Sequence, residues 1–73
     1  MNALAPEMVL GKEVFDDRGD SIGAVVDVGV HDWRTVKFLL VEDPRESDRL
    51  RRLSVDLIDT VGSNRVVLKR APT

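Results

Sequence analysis

The run Ser21–His31, SIGAVVDVGVH, constrains the fold of this chain more than any other stretch. Ile22, Ala24, Val26, Val28 and Val30 share one parity. Ser21, Gly23, Asp27, Gly29 and His31 share the other, with Val25 the one large apolar exception. Apolar residues at period two mark a strand with one face buried. A helix is a poor alternative, because this run holds two glycines and four valines, which are unfavourable in a helix interior. Glycines inside a strand suggest bulges or sharp bends, the devices by which a small sheet curls on itself.

The remaining segments read the same way. Leu10–Asp16 is a candidate strand, with Val14 and Phe15 apolar, and Asp17–Asp20 is a turn cluster. His31–Arg34 is a hairpin connection into Thr35–Glu42, TVKFLLVE, where Val36, Phe38 and Leu40 are assigned to the core and Lys37, Leu39 and Val41 to the outside. Asp43–Arg52 is read as a charged loop opened by Asp-Pro. Leu53–Val61 is either a short strand or a 3₁₀ turn leading into one. Gly62–Asn64 is a tight turn before a last strand, Arg65–Arg70, with Val66 and Leu68 inward and Val67 outward. Five or six short strands with regular turns predict an all-β chain, a small barrel or a sandwich. Residues 1–8 are expected to be a flexible lead-in, 9–70 a single domain and 71–73 a tail.

A chain of 73 residues buries only roughly 60% of the surface its unfolded form exposes. Small domains often add disulfides, metals or a second subunit. This chain has no cysteine and one histidine, which excludes disulfides, thiolate metal sites and His-rich sites. A partner subunit is the support that remains. Eleven basic against 13 acidic residues, a net charge of -2, argue against a dedicated nucleic-acid binder. The longest unbroken apolar run, Phe38–Val41, is far short of the roughly 20 residues of a membrane span. MNALAPEM lacks the basic and apolar regions of a secretory signal. A cytoplasmic protein is expected.

Gly19–Gly23, GDSIG, fits the pattern of a serine-hydrolase elbow, and Arg18-Gly19-Asp20 spells an adhesion tripeptide. An elbow needs a strand-to-helix turn and a nearby base. Here a strand follows, and His31 lies ten residues along it, roughly 33 Å away in extended chain. A turn that uses glycines is the better reading of both motifs. His31, Asp32 and Asp27 fall short of the three or four convergent ligands of a metal site. No catalytic residue, cofactor or metal is assigned.

Two surfaces remain as candidates. Phe15, Val25, Leu39, Val41 and Val67 are expected to form an apolar patch outside the core, and a contiguous patch of that kind marks an interface. Trp33, the sole tryptophan, either caps the barrel end or anchors an interface. The expected partners are proteins, with a homodimer or a heterodimer with a related barrel as the simplest arrangement. Arg45, Arg49, Arg51 and Arg52 form a second cluster, interrupted by Glu46 and Asp48. A solvated loop with internal ion pairs accounts for it. Phosphate or RNA contact is the alternative, although no aromatic residue lies within the cluster to stack on bases.

The order of motifs resembles the PRC-barrel family. Its opening, G-K-x-V-(Y/F)-D-x-x-G-x-x-(I/L)-G-x-V, is similar to Gly11-Lys12-Glu13-Val14-Phe15-Asp16 followed by Gly19 and Ser21-Ile22-Gly23-Ala24-Val25. Leu53-Ser54 through Leu68 follows the family's closing pattern, and the likeness covers residues 10 to 69. The resemblance implies a strongly bent β-barrel with no catalytic residues to transfer. It implies action through docking: on a membrane-protein complex, as in the photosynthetic reaction centre H subunit; on a ribosomal protein, as in a bacterial ribosome maturation factor; or, in small archaeal members, on cell-division assemblies linked to the tubulin-like ring. The stand-alone archaeal class, an adaptor in cell division, is the sharpest expectation. A ribosome maturation or RNA-processing factor using Arg45–Arg52 is the alternative.

Overall fold

In a computed structural model, which describes residues 4–32 and 35–72, six strands form one sheet. They are β1 (Glu13–Phe15), β2 (Ser21–His31), β3 (Thr35–Asp43), β4 (Glu46–Ser54), β5 (Ile58–Val61) and β6 (Arg65–Leu68). The spatial order is β4-β3-β2-β1-β6-β5. All pairings are antiparallel except the parallel pair β1 and β6. Short 3₁₀ turns at Pro6–Met8 and Val55–Leu57 are the only helical elements among the described residues. The sheet is a strongly curled half-barrel, so the all-β expectation holds.

The curl comes from register slips. Ile22 is unpaired between the pairs Phe15–Ser21 and Val14–Gly23. Val26 is unpaired between Val25–Val41 and Asp27–Leu40, and Lys37 between Gly29–Phe38 and Val30–Val36. Asp59 is skipped between Ile58–Leu68 and Thr60–Val67. Each extra residue bends its strand and raises the local twist.

The slips also change which side chains face inward. The core is Val9, Val14, Val25, Val36, Leu39, Val41, Leu53, Val66 and Leu68, with Leu4, Ile22, Val28, Leu57, Ile58 and Val61 packed against it. This corrects the expected facing of residues on β2 and β3. Val25, Leu39 and Val41, expected outside, are at most 1% exposed, whereas Val26, expected inside, is 46% exposed. The bulge at Val26 breaks the alternation on β2 just after Val25. The slip at Lys37 does the same on β3, so Val36 and Leu39 both point inward. Phe38 and Leu40, expected in the core, are half-buried on the opposite face.

Two further expectations are corrected. Residues 46–52 are not a loop but most of β4, laid against β3 through pairs from Glu42–Leu50 to Phe38–Ser54. A charged sequence with modest strand preference is held in place by that pairing, since tertiary contacts override propensity. Residues 4–8 are not a loose lead-in either. The Leu4 carbonyl accepts the Val36 N–H at 2.9 Å, and Val9 is fully buried.

Candidate functional site

The Gly19–Gly23 motif is built as a turn and a close crossing. The Asp16 carboxylate, 6% exposed, accepts the backbone N–H groups of Arg18 and Asp20, both at 2.9 Å. The Asp16 N–H donates to the Asp20 carbonyl and the Gly19 N–H to the Asp16 carbonyl. A carboxylate that accepts N–H donors within its own turn is an Asx-type staple. It fixes Arg18-Gly19-Asp20 as the β1–β2 connection. Ser21 Oγ donates to Glu13 Oε2 at 2.7 Å, which ties β2 to β1 on the exposed side.

No catalytic arrangement follows from Ser21. His31 lies at the other end of β2, and its Nε2 is 3.2 Å from Asp32 Oδ2, with both side chains largely exposed. Among the described residues, no group of three or more histidine, aspartate or glutamate side chains converges as a metal site.

Lys12, the second residue of the opening motif, also has a structural task. Its Nζ donates to the Gly62 carbonyl at 2.6 Å, so the start of the chain's first motif grips the β5–β6 turn in its last.

The four arginines of the expected phosphate cluster are divided. Arg45 Nε is 3.3 Å from Asp43 Oδ1, and Arg49 is 3.4 Å from Glu46. Arg51 pairs with Val41 and Arg52 with Leu40, so the last two leave β4 on opposite faces. The Arg52 guanidinium lies 4.2 Å from the centroid of the Phe38 ring, a cation–π stack. The Asp43 carboxyl is held below its ordinary value, first by the Arg45 N–H it accepts and then by the Arg45 guanidinium.

The chemistry-bearing surface is the outer face of the sheet. The pairing register aligns Gly29, Phe38 and Ser54 in one row, Asp27, Leu40 and Arg52 in the next, and Ala24, Glu42 and Leu50 in a third. Glu13 pairs with Ala24 and with Arg65, which extends the third row across the sheet. Phe15 pairs with Val67, and the Arg65 guanidinium lies 5.2 Å from the Phe15 ring centroid. Phe38 rests on the bare backbone of Gly29, where a Cβ would meet the ring itself. Phe15, Phe38, Leu40 and Val67 are each half-buried, covered by neighbours in the sheet but by no second layer among the described residues.

Of the expected interface residues, Phe15 and Val67 lie on this face, while Val25, Leu39 and Val41 belong to the core. Trp33 falls outside the described residues. Phe38, Leu40 and Leu50 are the residues that sequence reading missed. The available signal was the apolar run Phe38–Val41, which supplies both faces of a strand at once. No helix of the described residues is long and apolar enough to cross a membrane.

The family model for the PRC-barrel domain matches residues 1–72. A search among curated proteins gives no match to the chain.

Proposed function

The chain belongs to the PRC-barrel domain family, and from that premise we propose that it is a non-enzymatic docking module that self-associates through its outer sheet face. PRC-barrel domains are generally non-catalytic. One observation carries the reading. The inner face of the sheet closes on a core of nine buried side chains, whereas the outer face mixes apolar and charged side chains and has no second layer among the described residues. The outer face holds Phe15, Phe38, Leu40 and Val67 half-covered, with Arg52 and Arg65 stacked on the two aromatic rings.

A second copy is the occupant that best fits. The face carries both signs of charge, Glu13, Asp27 and Glu42 beside Arg52 and Arg65, and a two-fold interface must be self-complementary. A chain of 73 residues also gains most from burying a second apolar surface. A dimer built this way is an adaptor that docks on a larger assembly. Within the roles implied by the family resemblance, a cell-division assembly is the sharpest form of the proposal.

Light scattering over a dilution series tests it. Wild type is expected to weigh as a dimer at high concentration. Leu40→Asp, which sets a charge at the centre of the face but outside the core, is expected to remain monomeric with an unchanged circular dichroism spectrum. Equal masses for the two proteins at every concentration would refute the proposal.

A further inference from the structure

We infer that the open edge of β4 accepts an extended acidic peptide as an added strand. This rests on the docking reading above, but it uses the edge of the sheet, which shares Arg52 and Ser54 with the outer face. β4 is the first strand in the spatial order and has β3 as its one neighbour. Among the described residues, no element other than β3 exchanges a backbone hydrogen bond with it. An edge of this kind presents a row of N–H and C=O groups to any extended chain that approaches.

Arginines on an edge strand also discourage indiscriminate pairing. Here they flank an apolar trough, which such protection does not require. A groove of about 430 Å³ beside the end of β4 is lined by Arg51, Arg52, Leu53, Leu57 and Pro72. A second groove shares Leu57 and Pro72 with it and adds Ser54, Asp56, Arg70 and Ala71. Together they form an apolar floor bordered by three arginines against one aspartate.

Charge and geometry jointly select the occupant. Arg51 and Arg52 leave the strand on opposite faces, one beside Val41 and the other beside Leu40. An added strand also alternates its side chains between faces. A peptide with two adjacent acidic residues, one beside each arginine, flanked by apolar residues therefore matches the edge. Arg49, further along β4, is already engaged by Glu46, so the attraction is concentrated at the grooved end.

The test uses the whole chain and fluorescein-labelled octapeptides, blocked at both ends, of repeated Val-Val-Glu-Glu or of repeated Val-Val-Lys-Lys. Fluorescence anisotropy is expected to show binding of the glutamate peptide at least about tenfold tighter than the lysine peptide. Methylating alternate backbone nitrogens of the glutamate peptide is expected to abolish binding, because it removes the strand's donors without altering its charge. Arg51→Ser combined with Arg70→Ser is expected to weaken binding by at least about tenfold, with thermal melting unchanged. The inference is overturned if both peptides bind equally, if neither binds, or if the methylated peptide binds as well as its parent. Tighter binding of a single-stranded oligouridine would also overturn it, in favour of a nucleic-acid surface. If no peptide binds while wild type still dimerises and Leu40→Asp does not, only this inference fails and the docking reading stands.

Discussion

Gly23 packs the bare backbone of β2 directly against β3. Its φ of +146° is one that side chains rarely adopt, and a Cβ there would strike the Glu42 carbonyl oxygen and come within 2.9 Å of a Val41 methyl group. Gly23→Val adds strain and overlap together. It is expected to destabilise the fold by more than about 3 kcal/mol, as measured by urea denaturation; a loss below about 1 kcal/mol would contradict the crossing. The same scale separates the two faces of the sheet. Leu39→Asp places an unpaired charge in the core and is expected to abolish cooperative melting. Val26→Asp alters a bulged, exposed position and is expected to change stability by less than about 1 kcal/mol. A folded Leu39→Asp beside an unfolded Val26→Asp would reverse the facing described here. Parity alone assigns these residues the opposite way. Val25, the one large apolar residue on the wrong parity, was the visible sign that the alternation breaks. Where it breaks depends on the partner strand, which one strand's sequence does not encode.

The elements were legible where local chemistry decides them. The turns at Asp17–Asp20 and Gly62–Asn64 and the long β2 follow from glycines, aspartates and period-two valines, while Leu53–Val61, read as either a short strand or a 3₁₀ turn leading into one, contains the 3₁₀ turn Val55–Leu57 before β5. β4 was not legible, because Glu46–Ser54 looks like a solvated charged segment and becomes a strand only through pairing with β3. The same reading divided the candidate site wrongly, since Arg51 and Arg52, which it grouped with Arg45 and Arg49 on one loop, lie on opposite faces of an edge strand. The β3–β4 turn itself depends on Asp43, whose carboxylate accepts the Arg45 N–H at 2.9 Å and is thereby held below its ordinary pKa of 3.8. A carboxyl with a folded value below its unfolded one supports the structure fully at neutral pH. That support fades as pH falls through the folded value. The Arg45 amide resonance is therefore expected to hold its position from neutral pH down to mild acid and to move toward its disordered position only below the ordinary carboxyl range. Movement centred at or above that range would show that Asp43 does not hold the turn.

At the scale of the whole molecule, one thin sheet presents two different faces. Bulges curl it until Val9, Val14, Leu39, Val66 and Leu68 close into a core. The same bulges turn Phe38 and Leu40 outward beside Phe15, Val67 and the two stacked arginines. Lys12 on the Gly62 carbonyl and Asp16 on its own turn lock the curl, which explains why the recognisable motifs of the chain are structural rather than chemical. The fold class was legible from the spacing of glycines and valines. The outer face proposed for docking was not, because an apolar run on one strand does not reveal which of its two sides the core takes. The most direct measurement is a nitrogen–proton correlation spectrum of wild type at high and low concentration. Concentration-dependent shifts are predicted at the backbone amides of Ala24, Asp27, Phe38, Leu40 and Arg52. Shifts confined to other parts of the sheet, or none at all, would contradict the claim that the outer face is where this domain docks.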